Sequence, residues 1–206
     1  TTFGSIAMQG YVPTEDATVI SKLKDAGAII LAKTTMPDFA TSWFGYSSKN
    51  GVSKNPYDLD YDPGGSSGGT GIAVAANLAM VGIGEDTGGS IRLPASCNNL
   101  VGLKPTPGIV SKAGMSPLVI FQDSAGPMCR TVEDLACVLD VIVGFDTKDP
   151  FTSSAVILGK KNYISSLKEG AFIDRRVGVL KGLLDDPQIA GVAPIKQLVK
   201  RALNDI

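Results

Sequence analysis

The chain predicts an α/β fold, and three observations carry the prediction. A helix signal, a glycine and a short apolar run follow one another between Pro13 and Ala32, the rhythm of helices packed on a sheet. A second, strongly amphipathic helix pattern occupies residues 132–143. The length of 206 residues, with 44% hydrophobic content, is enough to bury a core in one or two domains.

Taken in order, Pro13 and Thr14 followed by Glu15 and Asp16 predict a helix start, with acids where the helix dipole favours them. Val19, Ile20 and Leu23 share one face, and Gly27 ends the helix. Ala28-Ile29-Ile30-Leu31-Ala32 then predicts a short buried strand. Residues 42–63 turn to Gly, Asn, Ser, Pro and three tyrosines, which predicts a long surface loop. Within it, Trp43-Phe44-Gly45-Tyr46 suits packing and a pocket wall equally. Residues 68–78 favour a helix of small residues, 80–84 a strand, and Val101-Gly102-Leu103 a further strand closed by Pro105. Thr131 caps the helix over 132–143, with Glu133 and Asp134 in its first turn and Leu135, Val138, Leu139 and Ile142 facing inward. Val177-Gly178-Val179-Leu180 predicts a strand. Residues 189–203 predict a last helix with Ile195, Leu198, Val199 and Leu203 on its apolar side.

Composition removes several function classes. A formal net charge of −1 leaves no electrostatic footprint for nucleic acid or an anionic membrane surface. The uncharged run over 63–84 is too rich in Gly and Ser for a membrane helix, and no signal peptide or glycosylation sequon is present. Cys97, Cys129 and Cys137 are odd in number and lack C-x-x-C spacing, so they read as reduced packing residues in a cytosolic setting. The chain opens on Thr1 and stops at Ile206 inside a helical pattern, so it reads as a fragment.

Histidine is absent, which excludes every Ser-His and Cys-His pair and every histidine metal ligand within the chain. A hydroxyl nucleophile here needs another base, and lysine leads. In Gly64-Gly65-Ser66-Ser67-Gly68-Gly69 the glycines let backbone approach a ligand closely. A phosphate-binding P-loop is excluded because no lysine occurs between Lys54 and Lys104, and a flexible linker would not run straight into apolar Ile72-Ala73-Val74. Thr87-Gly88-Gly89-Ser90 is a tight turn whose N–H groups can converge on an oxyanion; alone, it reads first as an ordinary glycine turn before a helix. Ser21-x-x-Lys24 and Ser165-x-x-Lys168 lack the companion motifs of penicillin-binding serine enzymes and read as solvated helix faces.

Together, Pro63-Gly64-Gly65-Ser66-Ser67-Gly68-Gly69, the run from Asp86-Thr87-Gly88-Gly89-Ser90 through Ile91-Arg92-Leu93-Pro94-Ala95, and Gly102-Leu103-Lys104-Pro105-Thr106 resemble the amidase signature family. The likeness extends through Ala32-Lys33-Thr34-Thr35-Met36-Pro37 and Gln122-Asp123-Ser124-Ala125-Gly126-Pro127-Met128 to most of the chain. It implies a mixed central β-sheet flanked by helices on both faces, here an incomplete piece of that fold. It implies Ser90 as the acylated nucleophile and Ser66, after a cis bond from Gly65, as the serine that passes a proton to a lysine. The oxyanion hole would be the amides of Thr87, Gly88, Gly89 and Ser90, with Ser67 and an Asp86–Arg92 ion pair in support.

The family's lysine falls by spacing about ten residues before Thr1. Lys33 and Lys104 occupy positions that the family does not use for catalysis. The expectation is therefore one amidase signature domain over 1–206, truncated at both ends, and inactive on its own. Glu85 stands where the family usually has a small residue or threonine and is expected to change the local charge near the Ser90 turn; Asn98-Asn99 stand where it often has glycine and are expected to be tolerated turn residues. The implied activity is hydrolysis of a small-molecule or peptide carboxamide with neither metal nor organic cofactor, and a homodimer is compatible with it. The segment Gln122 to Pro127 looks more like stand-alone amidases than the glutaminase component of the aminoacyl-tRNA amidotransferase. That glutaminase component, and a non-catalytic remnant lacking the lysine, are the alternatives.

Overall fold

The computed structural model describes residues 1–159, 162–171, 173–180 and 192–205. The chain forms two units, Thr1–Ser166 and Leu167–Ile206.

In the first unit, α1 (Thr18–Asp25) buries Val19 and Leu23 and ends before Gly27, which adopts φ +90°. It begins about one turn later than expected from Thr14. The chain is fixed at Thr18, whose N–H donates to Ala113 O at 3.0 Å and whose hydroxyl donates to Asp146 Oδ2 at 2.6 Å. Asp16, expected inside the helix, instead pairs with Lys24 at 2.6 Å. The strand expected over 28–32 does not form among the described residues: Ile29 is 83% and Leu31 69% exposed. A strand needs a ladder partner, and apolar composition cannot supply one.

The loop over 42–63 is interrupted by a small hairpin, β1 (Tyr46–Ser47) with β2 (Gly51–Val52). Next come α2 (Gly68–Ala75), β3 (Val81–Glu85), α3 (Arg92–Cys97), β4 (Val101–Gly102), β5 (Ala125–Cys129), α4 (Val132–Ile142) and α5 (Ser153–Leu158). The sheet has the order β3-β5-β4 with both pairs antiparallel, and Gly84 sits opposite Gly126. Every residue of the central strand β5 is buried.

Alternation along the strands separates two faces. Val81, Ile83, Val101, Ala125 and Cys129 pack with Leu135, Val138, Leu139 and Ile142 of α4 and with Val19 and Leu23 of α1. Each Val, Leu or Ile among them contributes about 1.5–3 kcal/mol when fully buried. On the other face, a Cβ at Gly82 would lie 2.3 Å from Thr70 Cγ2 of α2, and one at Gly102 2.5 Å from Ala95 Cβ of α3. Glycine is what lets these two helices sit against the sheet. Helices therefore cover both faces, as expected.

Thr131 caps α4 by accepting a hydrogen bond from Asp134 N at 3.0 Å. Of the three cysteines only Cys129 is in the core, where burial, with Asp134 nearby, pushes its thiol up to about 12. Cys97 and Cys137 are exposed, which corrects their reading as packing residues.

In the second unit, the expected final helix is observed as α6 (Val192–Asn204); residues 189–191 lie outside the described residues. Residues 177–180 have no ladder partner among the described residues, so the strand expected there is absent. No described helix is long and apolar enough to cross a membrane.

Candidate active site

The glycine-serine loop and the Ser90 turn meet at the end of β3. Gly64 takes φ +73°, the Gly65–Ser66 peptide bond is cis, and Ser67 N–H donates to Ser90 O at 3.1 Å. Ser66 and Ser90 are both buried, and neither hydroxyl is hydrogen-bonded to another described residue. Ser67 continues the sheet with its side chain. Its Oγ accepts from Glu85 N at 3.1 Å and donates to Glu85 O at 3.2 Å, so the residue after Ser66 is pinned to β3.

Asp86 organises the turn. Its fully buried carboxylate accepts from Gly89 N (2.7 Å) and Arg92 Nη2 (3.1 Å) on Oδ1. On Oδ2 it accepts from Ile91 N (3.0 Å), Arg92 Nε (3.1 Å) and Arg92 N (3.3 Å). Burial pushes this carboxyl upward, but the hydrogen bonds from Arg92, Ile91 and Gly89 outweigh it and hold the group well below the usual carboxylate range. The expected Asp86–Arg92 pair is thus present, with the Arg92 side chain 56% exposed.

The same bonds correct one expectation. The Gly89 N–H is spent on Asp86, leaving the amides of Thr87, Gly88 and Ser90 without an acceptor among the described residues. Gly89 itself adopts φ +133°, a backbone that a side chain would strain.

Lys104 acts as a clamp. Its Nζ donates to Asp86 O (2.6 Å), Thr87 O (2.8 Å) and Gln122 O (2.6 Å), tying the turn to the segment before β5. The Lys33 ammonium instead donates to the Thr1 hydroxyl, at an exposed position. Neither ammonium is hydrogen-bonded to Ser66 among the described residues.

Three positioning groups escaped the sequence reading. Asp62 accepts from Gly45 N and Gly64 N (2.7 Å to the latter), joining the aromatic loop to the glycine-serine loop. Asn98 is fully buried and donates through Nδ2 to Pro63 O and Pro94 O, each at 2.7 Å. It is a clamp rather than a tolerated turn residue; Asn99, at φ +54°, is the turn residue. Asp123, 3% exposed, bonds Thr87 and the 118–119 backbone. An Asn or Asp near a turn leaves no local signature of such long-range partners.

The aromatic loop borders the site. A Cβ on Gly89 would lie 3.8 Å from Trp43 Nε1, and one on Gly65 3.0–3.3 Å from backbone of residues 42–44. Trp43 is 58% exposed, so it forms a wall beside the turn and not core. Upstream, Thr34 and Thr70 hydroxyls are 2.8 Å apart and Gly69 N–H donates to Thr35 O, which seats the 32–37 segment on the start of α2.

The family model described as Amidase matches residues 1–204. The chain is 39% identical over 206 residues to the A-type component of the glutamyl-tRNA(Gln) amidotransferase of Saccharolobus solfataricus, covering all of this chain and 41% of that protein. It is 42% identical over 205 residues to the component of the same name from Carboxydothermus hydrogenoformans, covering all of this chain and 40% of that protein. It thus spans about two-fifths of these relatives' length. Among solved structures, the peptide amidase of Stenotrophomonas maltophilia aligns with TM-score 0.77 and 45% identity over 80% of this chain and 35% of that one. The corresponding A-type component of the glutamyl-tRNA(Gln) amidotransferase from Thermotoga maritima aligns with TM-score 0.69 and 40% identity, over 74% of this chain and 34% of that one.

Proposed function

The chain belongs to the amidase signature family, and from that premise we propose that the whole protein hydrolyses a carboxamide C–N bond through a seryl acyl-enzyme. The observation that carries the reading is the 3.1 Å bond from Ser67 N–H to Ser90 O, which ties the residue after buried Ser66 to buried Ser90 and supports their acting together. In this reading Ser90 Oγ attacks the amide carbon and its proton passes through Ser66 to a lysine base, which the family resemblance puts outside these 206 residues. The oxyanion is held by the amides of Thr87, Gly88 and Ser90, while Gly89 N–H locks the turn through Asp86. The C–N bond breaks as the amine takes the proton back, and water then releases the acid and regenerates Ser90. Ser67, Asp86 and Arg92 support the geometry and touch no reacting atom.

Two substrate settings follow from the relatives. The 45% identity to a peptide amidase supports a stand-alone enzyme acting on a peptide or small amide. The 39–42% identity to the A-type components of glutamyl-tRNA(Gln) amidotransferases supports a glutaminase that passes ammonia to a partner protein, in the cytoplasm. A family member without the lysine would be a non-catalytic remnant. The test is to treat the whole protein with a fluorophosphonate and locate the added mass. Label on the peptide containing Ser90, lost in Ser90→Ala, is expected. Label on a different serine alone, or none, rejects the assignment; release of ammonia from glutamine against a C-terminal peptide amide then separates the two settings.

A further inference from the structure

Thr87 stands between two carboxyl groups. Its Oγ1 is 3.1 Å from Glu85 Oε1 and 2.5 Å from Asp123 Oδ1. A hydroxyl carries one proton, so it donates to one of these oxygens and not to both. Three oxygens in a hydrogen-bonded row require a second proton.

The surrounding donors decide where that proton resides. Both oxygens of Asp123 already accept backbone N–H groups: Oδ1 from Val119 at 2.9 Å, and Oδ2 from Leu118 at 2.9 Å and Val119 at 3.1 Å. Asp123 is therefore the acceptor that ends the row. We propose that Glu85 is a positioning residue for the Ser90 turn: as a neutral acid it donates to Thr87 Oγ1, and Thr87 in turn donates to Asp123.

The charges around Glu85 favour this arrangement. Asp123 faces it from the segment before β5, and Asp86 adjoins it at the end of β3. The nearby cations are directed elsewhere. Lys104 is on the carbonyls of residues 86, 87 and 122 and 3.5 Å from Asp86 Oδ1, and Arg92 is on Asp86. Burial, then the charge of Asp123, raises the Glu85 carboxyl to about 7, against smaller opposing hydrogen bonds from Thr87 and the Ser124 backbone. When Glu85 gives its proton to solvent, two carboxylates compete for one hydroxyl and the row loses a bond. Thr87 also contributes an amide to the proposed oxyanion hole, so the loss is felt where the tetrahedral intermediate forms.

This role rests on the hydrolase reading, and the test keeps the two apart. In whole protein labelled with ¹³C in its glutamate carboxyl groups, the signal that disappears in Glu85→Gln is expected to titrate with a midpoint near 7. The same spectra report whether the variant is folded. Gln supplies an N–H donor at every pH, so the kcat ratio of Glu85→Gln to wild type is expected to rise about fivefold from about pH 6 to about pH 9, the scale of one hydrogen bond. A midpoint in the ordinary carboxylate range below about 5, or a ratio constant with pH in folded protein, overturns the proposal. The titration needs no turnover. A normal midpoint with Ser90 labelled by fluorophosphonate sinks the Glu85 role alone, whereas a midpoint near 7 with Ser90 unlabelled sinks the hydrolase reading and leaves the proton row standing.

Discussion

Replacing Asp86 by Asn isolates what holds the turn together. The carboxylate accepts five hydrogen bonds, two on Oδ1 and three on Oδ2, and its side chain is fully buried. An amide offers one acceptor oxygen and turns an NH₂ toward donors on the other side. Either orientation therefore loses at least one backbone bond, Gly89 N or the pair Ile91 N and Arg92 N, and leaves that N–H unsatisfied. Bonds to a charged acceptor contribute about 1.5–3 kcal/mol each, and a buried orphan donor costs about 1–3 kcal/mol. The two bonds from the Arg92 side chain are discounted, because it is 56% exposed and solvent screens its charge. The expected loss is about 3 kcal/mol for Asp86→Asn and under about 1 kcal/mol for Arg92→Ala.

Urea unfolding of the whole protein measures both variants, and kcat on a cleavable amide is expected to fall about 100-fold in Asp86→Asn as the turn relaxes. The pH dependence has a definite sign. Asp86 is depressed in the folded state, so its contribution is fully present above the unfolded value of 3.8 and is lost as pH falls toward the folded one. Asp86→Asn should therefore flatten the acid limb of the stability curve. Equal losses in the two variants, or an Asp86→Asn loss below about 1 kcal/mol, would refute the claim that backbone donors to this carboxylate shape the turn.

Two further outcomes are expected. Lys104→Met removes the ammonium that bridges the carbonyls of residues 86, 87 and 122, and should cost about 2 kcal/mol and lower kcat about tenfold; an unchanged thermal midpoint would remove Lys104 from the clamp. Gly126→Ala places a Cβ 2.2 Å from Leu103 O in the middle of the sheet and should cost more than about 3 kcal/mol, while Gly178→Ala, with open space around it, should be neutral to within about 0.5 kcal/mol; similar unfolding curves would contradict the packing argument.

Features whose cause is local were legible in the sequence. The Thr131 cap, the acids after it and the 3.6-residue spacing of α4 all act within one or two turns of helix, so they were read correctly to within one residue. The Asp86–Arg92 pair and the cis bond at Gly65–Ser66 were legible only through the family resemblance that implied them, and both are present. Features whose cause lies across the chain were not. Ala28 to Ala32 has a strand's composition but no ladder partner among the described residues. The central strand β5 contains Gly126 and Pro127, which read as breakers; Gly126 is needed because Leu103 O approaches too closely for a side chain, and Pro127 still accepts Leu103 N–H through its carbonyl.

By itself, then, the sequence determined the residue types that can perform the chemistry: two serines in glycine-rich turns, no histidine, and an acid six residues before an arginine. The tertiary structure alone decided how those turns are held. It placed Asp62, Asn98 and Asp123 on backbone groups of other segments, turned Lys104 into a bridge of three carbonyls, and took the Gly89 amide for Asp86. The physical reason is that a buried polar group must find a partner wherever the fold offers one, and that partner is a neighbour in space whose identity no local pattern encodes.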